Sequence, residues 1–73
     1  MLGDEIRKAR LAKGLTQEKL AFRAKVSRNY VSLLELNQKS PTLHVLLRLA
    51  RAMEVKAAAL VAAVEDARDR HKR

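Results

Sequence analysis

The chain contains no cysteine and no tryptophan, and its only aromatic residues are Phe22 and Tyr30. Without cysteine there is no disulfide framework, no thiol nucleophile and no Cys-based zinc site. The two histidines, His44 and His71, stand 27 positions apart and do not form a metal-ligand pair. No stretch approaches the roughly 18 consecutive apolar residues of a membrane span. The first residues, Met1 to Glu5, lack a basic segment followed by an apolar one and so do not read as a signal peptide. Strand signals are missing as well: there is no period-two alternation and no Asn-Gly or Asp-Gly turn. No long internal repeat is present. These absences lead to the expectation of a soluble, cytoplasmic protein with no metal, no cofactor, no small-molecule ligand and no membrane partner.

What is present favours helix. Of the apolar residues, 24 are Leu or Ala, and β-branched residues are scarce. A length of 73 residues allows one domain, spanning 1–73. So small a core leaves a thin stability margin, and self-association would bury more surface. The net charge is +8, and it is unevenly spread. Residues 7–28 hold eight Lys or Arg against Glu18 alone. A concentrated positive field on a small domain suits a polyanion, most often nucleic acid, although charge alone fits simple solubility equally well.

Capping residues and apolar spacing predict five helices, at about 3–13, 17–24, 28–36, 43–53 and 56–70. Asp4 and Glu5 suit the start of the first, and Gly14 its left-handed end. Thr16, Ser27 and Thr42 are the N-caps of the next three. Asn37 can end the third helix in a left-handed conformation, and Ser40-Pro41 breaks the chain before the fourth. Leu43, Leu46, Leu47, Ala50 and Met53 form the apolar stripe of the fourth. The fifth has no good N-cap, since Lys56 stands where Ser or Thr is preferred. Glu65–Arg68 and Asp66–Arg70 are candidate supporting pairs along its charged tail, whose last residues are expected to fray.

The second and third helices are short and joined by a tight link, Ala24-Lys25-Val26. That spacing is a helix-turn-helix, whose second helix is presented to the major groove. Projected at 100° per residue, the third helix puts Tyr30, Val31, Leu34 and Glu35 on its inner side. Arg28, Asn29, Ser32, Leu33 and Leu36 fall on the outer side. Arg binds guanine through two donors, Asn binds adenine as donor and acceptor, and Ser is adaptable.

Leu15-Thr-Gln-Glu-Lys-Leu-Ala21, Val26-Ser-Arg-Asn-Tyr-Val-Ser-Leu-Leu-Glu35, Ser40-Pro-Thr-Leu43 and Leu46-Leu-Arg-Leu-Ala-Arg-Ala-Met53 stand in order along the chain. Together they resemble the phage Cro/repressor-type, or XRE-like, helix-turn-helix family over about residues 3–62. The resemblance implies an all-α, compact five-helix, lambda-repressor-like DNA-binding domain. It further implies a sequence-specific transcriptional regulator, usually a homodimer on a palindromic double-stranded operator. By the same resemblance, Arg28, Asn29, Ser32 and Leu33 face the bases. Thr16, Gln17, Gln38 and Lys39 match backbone-contacting positions, with Gln17 also supporting the recognition helix. Ser27 and Tyr30, the latter through its hydroxyl, are further backbone-contact candidates. Arg10 and Glu35 occupy the places of a structural ion pair.

The chain departs from the family pattern in three respects. Lys25 stands where many members have Gly, which predicts either a strained left-handed Lys or a different turn. Asn37 and Gln38 fill a loop where Gly is frequent. Leu33 and Leu36 are apolar on the outer face, suited to thymine methyls or to a partner protein. In the fifth helix, Ala57, Leu60, Val61 and Val64 form an apolar strip, which predicts a two-fold dimer. Such a dimer would set two recognition helices about 34 Å apart. The alternative function is a protein-interaction or antitoxin-like module on the same fold. A basic membrane-surface helix is disfavoured because no aromatic cluster anchors it. No nucleophile, base and orienting group stand together, and Gly3 and Gly14 form no phosphate loop, so an enzyme is not expected.

Overall fold

A computed structural model describes residues 1–71 of the chain. They form α1 (Leu2–Ala12), α2 (Gln17–Ala24), α3 (Arg28–Glu35), α4 (Leu43–Ala52) and α5 (Ala57–His71). Each bound falls within one residue of the expectation, and no strand occurs among the described residues. Fraying was expected of the last residues, and Lys72 and Arg73 lie outside the described ones.

The helices start as their caps dictate. Thr16 Oγ1 accepts from Lys19 N at 3.0 Å, Ser27 Oγ from Tyr30 N at 3.0 Å, and Thr42 Oγ1 from Val45 N at 3.2 Å. Each such cap contributes about 1 kcal/mol.

The first four helices also end alike. Gly14, Lys25, Asn37 and Glu54 all have positive φ. In each case the next amide reaches back to close a six-residue ring: Leu15 N to Arg10 O, Val26 N to Ala21 O, Gln38 N to Leu33 O and Val55 N to Ala50 O. These are Schellman ends, which satisfy carbonyls that the helix itself leaves open. Glu54 carries no composition signal for this role. Its carboxylate instead reaches Lys13 Nζ at 2.5 Å, tying the end of α4 to the end of α1.

Ile6, Leu20, Val31, Leu34, Leu49 and Met53 are fully enclosed where α1 to α4 converge. The inner face of α4 is Leu46, Leu49, Ala50 and Met53. Leu43 and Leu47, expected in that stripe, are 70% and 51% exposed. The apolar stripe on α4 is wider than the core that receives it, so one edge is left in solvent.

On α5 the burial runs in the opposite sense. Leu60, one of the four residues of the expected dimer strip, is buried in the core of the single chain. Ala57 packs against that core, Val64 is half-buried and Val61 is 43% exposed. A core this small draws in the nearest large side chain of its last helix. The Glu65–Arg68 and Asp66–Arg70 pairs are not among the ion pairs of the described residues. Exposed pairs of this kind gain little over their hydrated ends. No described helix is long and apolar enough to cross a membrane.

Candidate nucleic-acid interface

The turn between α2 and α3 is built on Lys25, at φ 60° and ψ 44°. It is a left-handed lysine in the turn geometry that glycine usually serves, at a cost of roughly 1–2 kcal/mol. Two sets of bonds offset that cost. Lys25 N and Val26 N donate to Phe22 O and Ala21 O. From α4, Arg48 Nε donates to Ala24 O at 3.0 Å and Arg48 Nη2 to Lys25 O at 3.3 Å. A cation on the final carbonyls of a helix also complements its dipole. The sequence carries no signal for this role of Arg48, since only the packing of α4 on α2 brings it there.

The turn sets the angle at which α3 leaves. Val31, Leu34 and Glu35 point inward and Tyr30 lies at the rim. Arg28 and Asn29, in the first turn, are exposed; Ser32 and Leu33 are half-buried; Leu36 is 61% exposed. The outer face of α3 is thus polar at its tip and partly packed further along. Gln38 and Lys39 are exposed beyond its end, and Lys39 Nζ stands 5.8 Å from the centre of the Tyr30 ring. Two expected backbone-contacting residues from separate segments are therefore neighbours.

A groove runs in front of both short helices, lined by Arg10, Thr16, Gln17, Lys19, Arg23 and Arg28 together with Glu18 and Phe22. Lys19 and Arg23 are not among the expected site residues. The signal was available, because Leu20, Ala21 and Ala24 face inward and so place positions 19 and 23 together on the outside. Phe22 beside them is 85% exposed.

Arg10, which lines the groove, belongs to a buried ion pair. Arg10 Nε and Nη2 donate to the two oxygens of Glu35 at 2.7 and 3.0 Å, and Arg10 Nη1 donates to Leu15 O at 2.8 Å. Gln17 Nε2 donates to Glu35 Oε1 at 3.2 Å. No buried side-chain nitrogen or oxygen among the described residues lacks a partner. Elsewhere, Lys13 holds the Glu54 carboxyl below its ordinary range by hydrogen bond and by charge, and Arg23 adds a weaker pull. The N-terminal ammonium does the same to Asp4. No three His, Cys, Asp or Glu side chains among the described residues are grouped to hold a metal ion.

The short helix pair, its capped starts and the exposed tip of α3 have a counterpart in known proteins. A helix-turn-helix family model matches residues 6–60. The chain belongs to the helix-turn-helix family. It is a DNA-binding transcriptional regulator of the XRE type. An uncharacterized HTH-type transcriptional regulator of Sinorhizobium fredii is 35% identical over 66 residues, covering 90% of this chain and 86% of the relative. Among solved structures, the restriction-modification controller protein C.AhdI from Aeromonas hydrophila is 39% identical, with a TM-score of 0.79. It covers 81% of this chain and 89% of its own. The clp gene regulator ClgR from Corynebacterium glutamicum is 29% identical with a TM-score of 0.85, over 90% of this chain and 86% of its own.

Proposed function

We propose that the chain acts as one domain that reads a palindromic duplex operator as a homodimer, with α3 in the major groove of each half-site. The exposure of Arg28 and Asn29 at the tip of α3, beside a groove lined with Lys and Arg, carries this reading. Arg28 and Asn29 make the principal base contacts, assisted by Ser32 and by the accessible part of Leu33. Thr16, Gln17, Ser27, Tyr30, Gln38 and Lys39 hold the backbone. The hydroxyls of Thr16 and Ser27 accept from helix amides, so their protons stay free to donate to phosphate. Phosphate contacts set the register and base contacts supply the sequence preference.

The dimer is supported by exposed aliphatic surface, namely Val61 on α5 and the Leu43–Leu47 pair on α4. Ala57 and Val64 contribute what the core leaves uncovered. The protein works in the cytoplasm, on the nucleoid, by binding and not by catalysis.

Selection of bound sequences from random duplex DNA tests this reading. The expected product is a palindrome whose half-site centres are about one helical turn, or 34 Å, apart. If the dimer neutralises about 8 phosphates, log K against log salt has a slope near −7. No enrichment, or an affinity indifferent to salt, would overturn it.

The protein-interaction alternative keeps one supporting observation, the 61% exposure of Leu36 at the end of α3. Replacing Arg28 and Asn29 by Ala separates the two readings, because only DNA binding depends on them.

A further inference from the structure

We propose that Glu35 is a positioning residue for DNA binding: its carboxylate, held by Arg10, orients the Gln17 amide toward a backbone phosphate. The inference rests on the reading of Gln17 as a phosphate contact.

Three helices meet at this one carboxylate. Arg10 comes from α1, Gln17 opens α2 and Glu35 ends α3. The Arg10 fork, at 2.7 and 3.0 Å, takes one bond to each oxygen and so fixes the carboxylate plane. Oε1 has a second lone pair, and Gln17 Nε2 uses it at 3.2 Å. An ionised carboxylate only accepts hydrogen bonds. It therefore selects one of the two amide orientations, with the NH2 end toward Glu35.

That choice matters for an anionic partner. One N–H of Gln17 is committed to Glu35. The other remains able to donate, at the edge of a groove that Thr16, Lys19 and Arg28 also line. In the flipped orientation the amide carbonyl would replace that donor, and a carbonyl cannot bond a phosphate oxygen. Glu35 thus excludes the unproductive orientation before DNA arrives. Arg10 complements this by neutralising a carboxylate that would otherwise repel the phosphate. Gln17 is half-buried and Glu35 is buried, so the duplex would meet the amide and not the carboxylate.

A side chain ordered in advance loses less freedom on binding. For one rotamer-rich side chain that saving corresponds to about 3- to 10-fold in affinity. A pair that only stabilises the fold would leave the affinity of the folded protein unchanged.

The test is a double-mutant cycle on the full chain. Dissociation constants are measured by fluorescence anisotropy against a duplex carrying the selected site, at a temperature where every variant is folded by circular dichroism. The variants are Gln17→Ala, Glu35→Asp and both together. Glu35→Asp keeps the charge for Arg10 but withdraws the carboxylate by one carbon–carbon bond. Each single change is expected to weaken binding about 3- to 10-fold, and the double variant to be no weaker than the weaker single one. Equal losses from Gln17→Ala in both backgrounds would overturn the proposal. If Glu35→Asp does not fold, the same cycle is run on Arg10→Met/Glu35→Leu, which replaces the pair with apolar groups. A wild-type protein that binds no duplex would instead fail the functional reading. Wild-type binding that is indifferent to Gln17→Ala would overturn the phosphate contact and this inference together.

Discussion

The amide N–H of Gly3 donates to Asn37 Oδ1 at 2.9 Å, joining the first turn of α1 to the left-handed residue that ends α3. The contact demands close approach. A Cβ on Gly3 would lie 2.2 Å from Leu34 O and 2.9 Å from Glu35 O, both backbone atoms. The last turn of the recognition helix is therefore seated directly against the backbone of α1.

Gly3→Ala is expected to destabilise the fold by about 1–3 kcal/mol, because two backbone segments must separate to admit the methyl group. Gly14→Ala is the control. Nothing lies within 4 Å of a Cβ there, and only its φ of 75° penalises the change. Urea unfolding followed by circular dichroism should place Gly3→Ala below Gly14→Ala. The reverse order would mean that the α1–α3 seat is looser than described.

Lys25→Gly should stabilise the protein. Relief of the left-handed strain is partly cancelled by the greater freedom of glycine in the unfolded chain, leaving a gain of up to about 1 kcal/mol. For a domain of this size that corresponds to a rise of several degrees in melting temperature, by roughly 4–8 °C per kcal/mol. A lower melting temperature would show that the greater unfolded-state freedom of glycine outweighs the left-handed strain of Lys25.

Base-reading and phosphate-holding residues should separate in a salt series. Arg28→Ala and Asn29→Ala are each expected to remove about 1–3 kcal/mol of discrimination between selected and scrambled duplexes. Lys39→Ala should weaken binding to all duplexes alike and reduce the salt slope by about 1. Anisotropy titrations at several salt concentrations distinguish these patterns. Retained sequence preference in the Arg28/Asn29 double variant would remove α3 from the reading role.

Glu54 gives the stability a dependence on acid. Lys13 favours the ionised carboxylate in the folded chain, which lowers its pKa from the ordinary 4.5. The contribution is complete above that ordinary value and is lost as pH falls through the lower folded one. Asp4, lowered from 3.8 by the N-terminal ammonium, acts in the same direction. Wild type should therefore exceed Glu54→Gln in urea midpoint near neutral pH, and the gap should close below the carboxylate range. A gap that stays constant with pH would exclude the Lys13–Glu54 pair as its source.

Much of this architecture was legible along the chain. Thr16, Ser27 and Thr42 announce helix starts because a side-chain oxygen caps amides two or three residues away. Gly14 and Asn37 announce helix ends because they tolerate positive φ. The inner faces of α2 and α3 follow from helical periodicity, and the expected base-reading and backbone-holding positions follow from the resemblance. Each of these signals is local, or repeats with the period of one helix.

Other features had no such signal. Glu54 takes a left-handed conformation against its residue preference because the Schellman bonds and surrounding packing hold it there, and the same bonds decide that Lys25 is left-handed where the sequence left two turn geometries open. Leu60 enters the core while Leu43 and Leu47 remain outside it, a matter of how far a small core extends. The seat of Gly3 on Leu34 O, the reach of Arg48 to Ala24 O and the bond from Gln17 to Glu35 join residues well separated in sequence. The order of residue types determined which helices form and where they stop. Only tertiary structure decided which of their side chains meet, because a contact depends on how the helices are placed and angled, which no local spacing encodes.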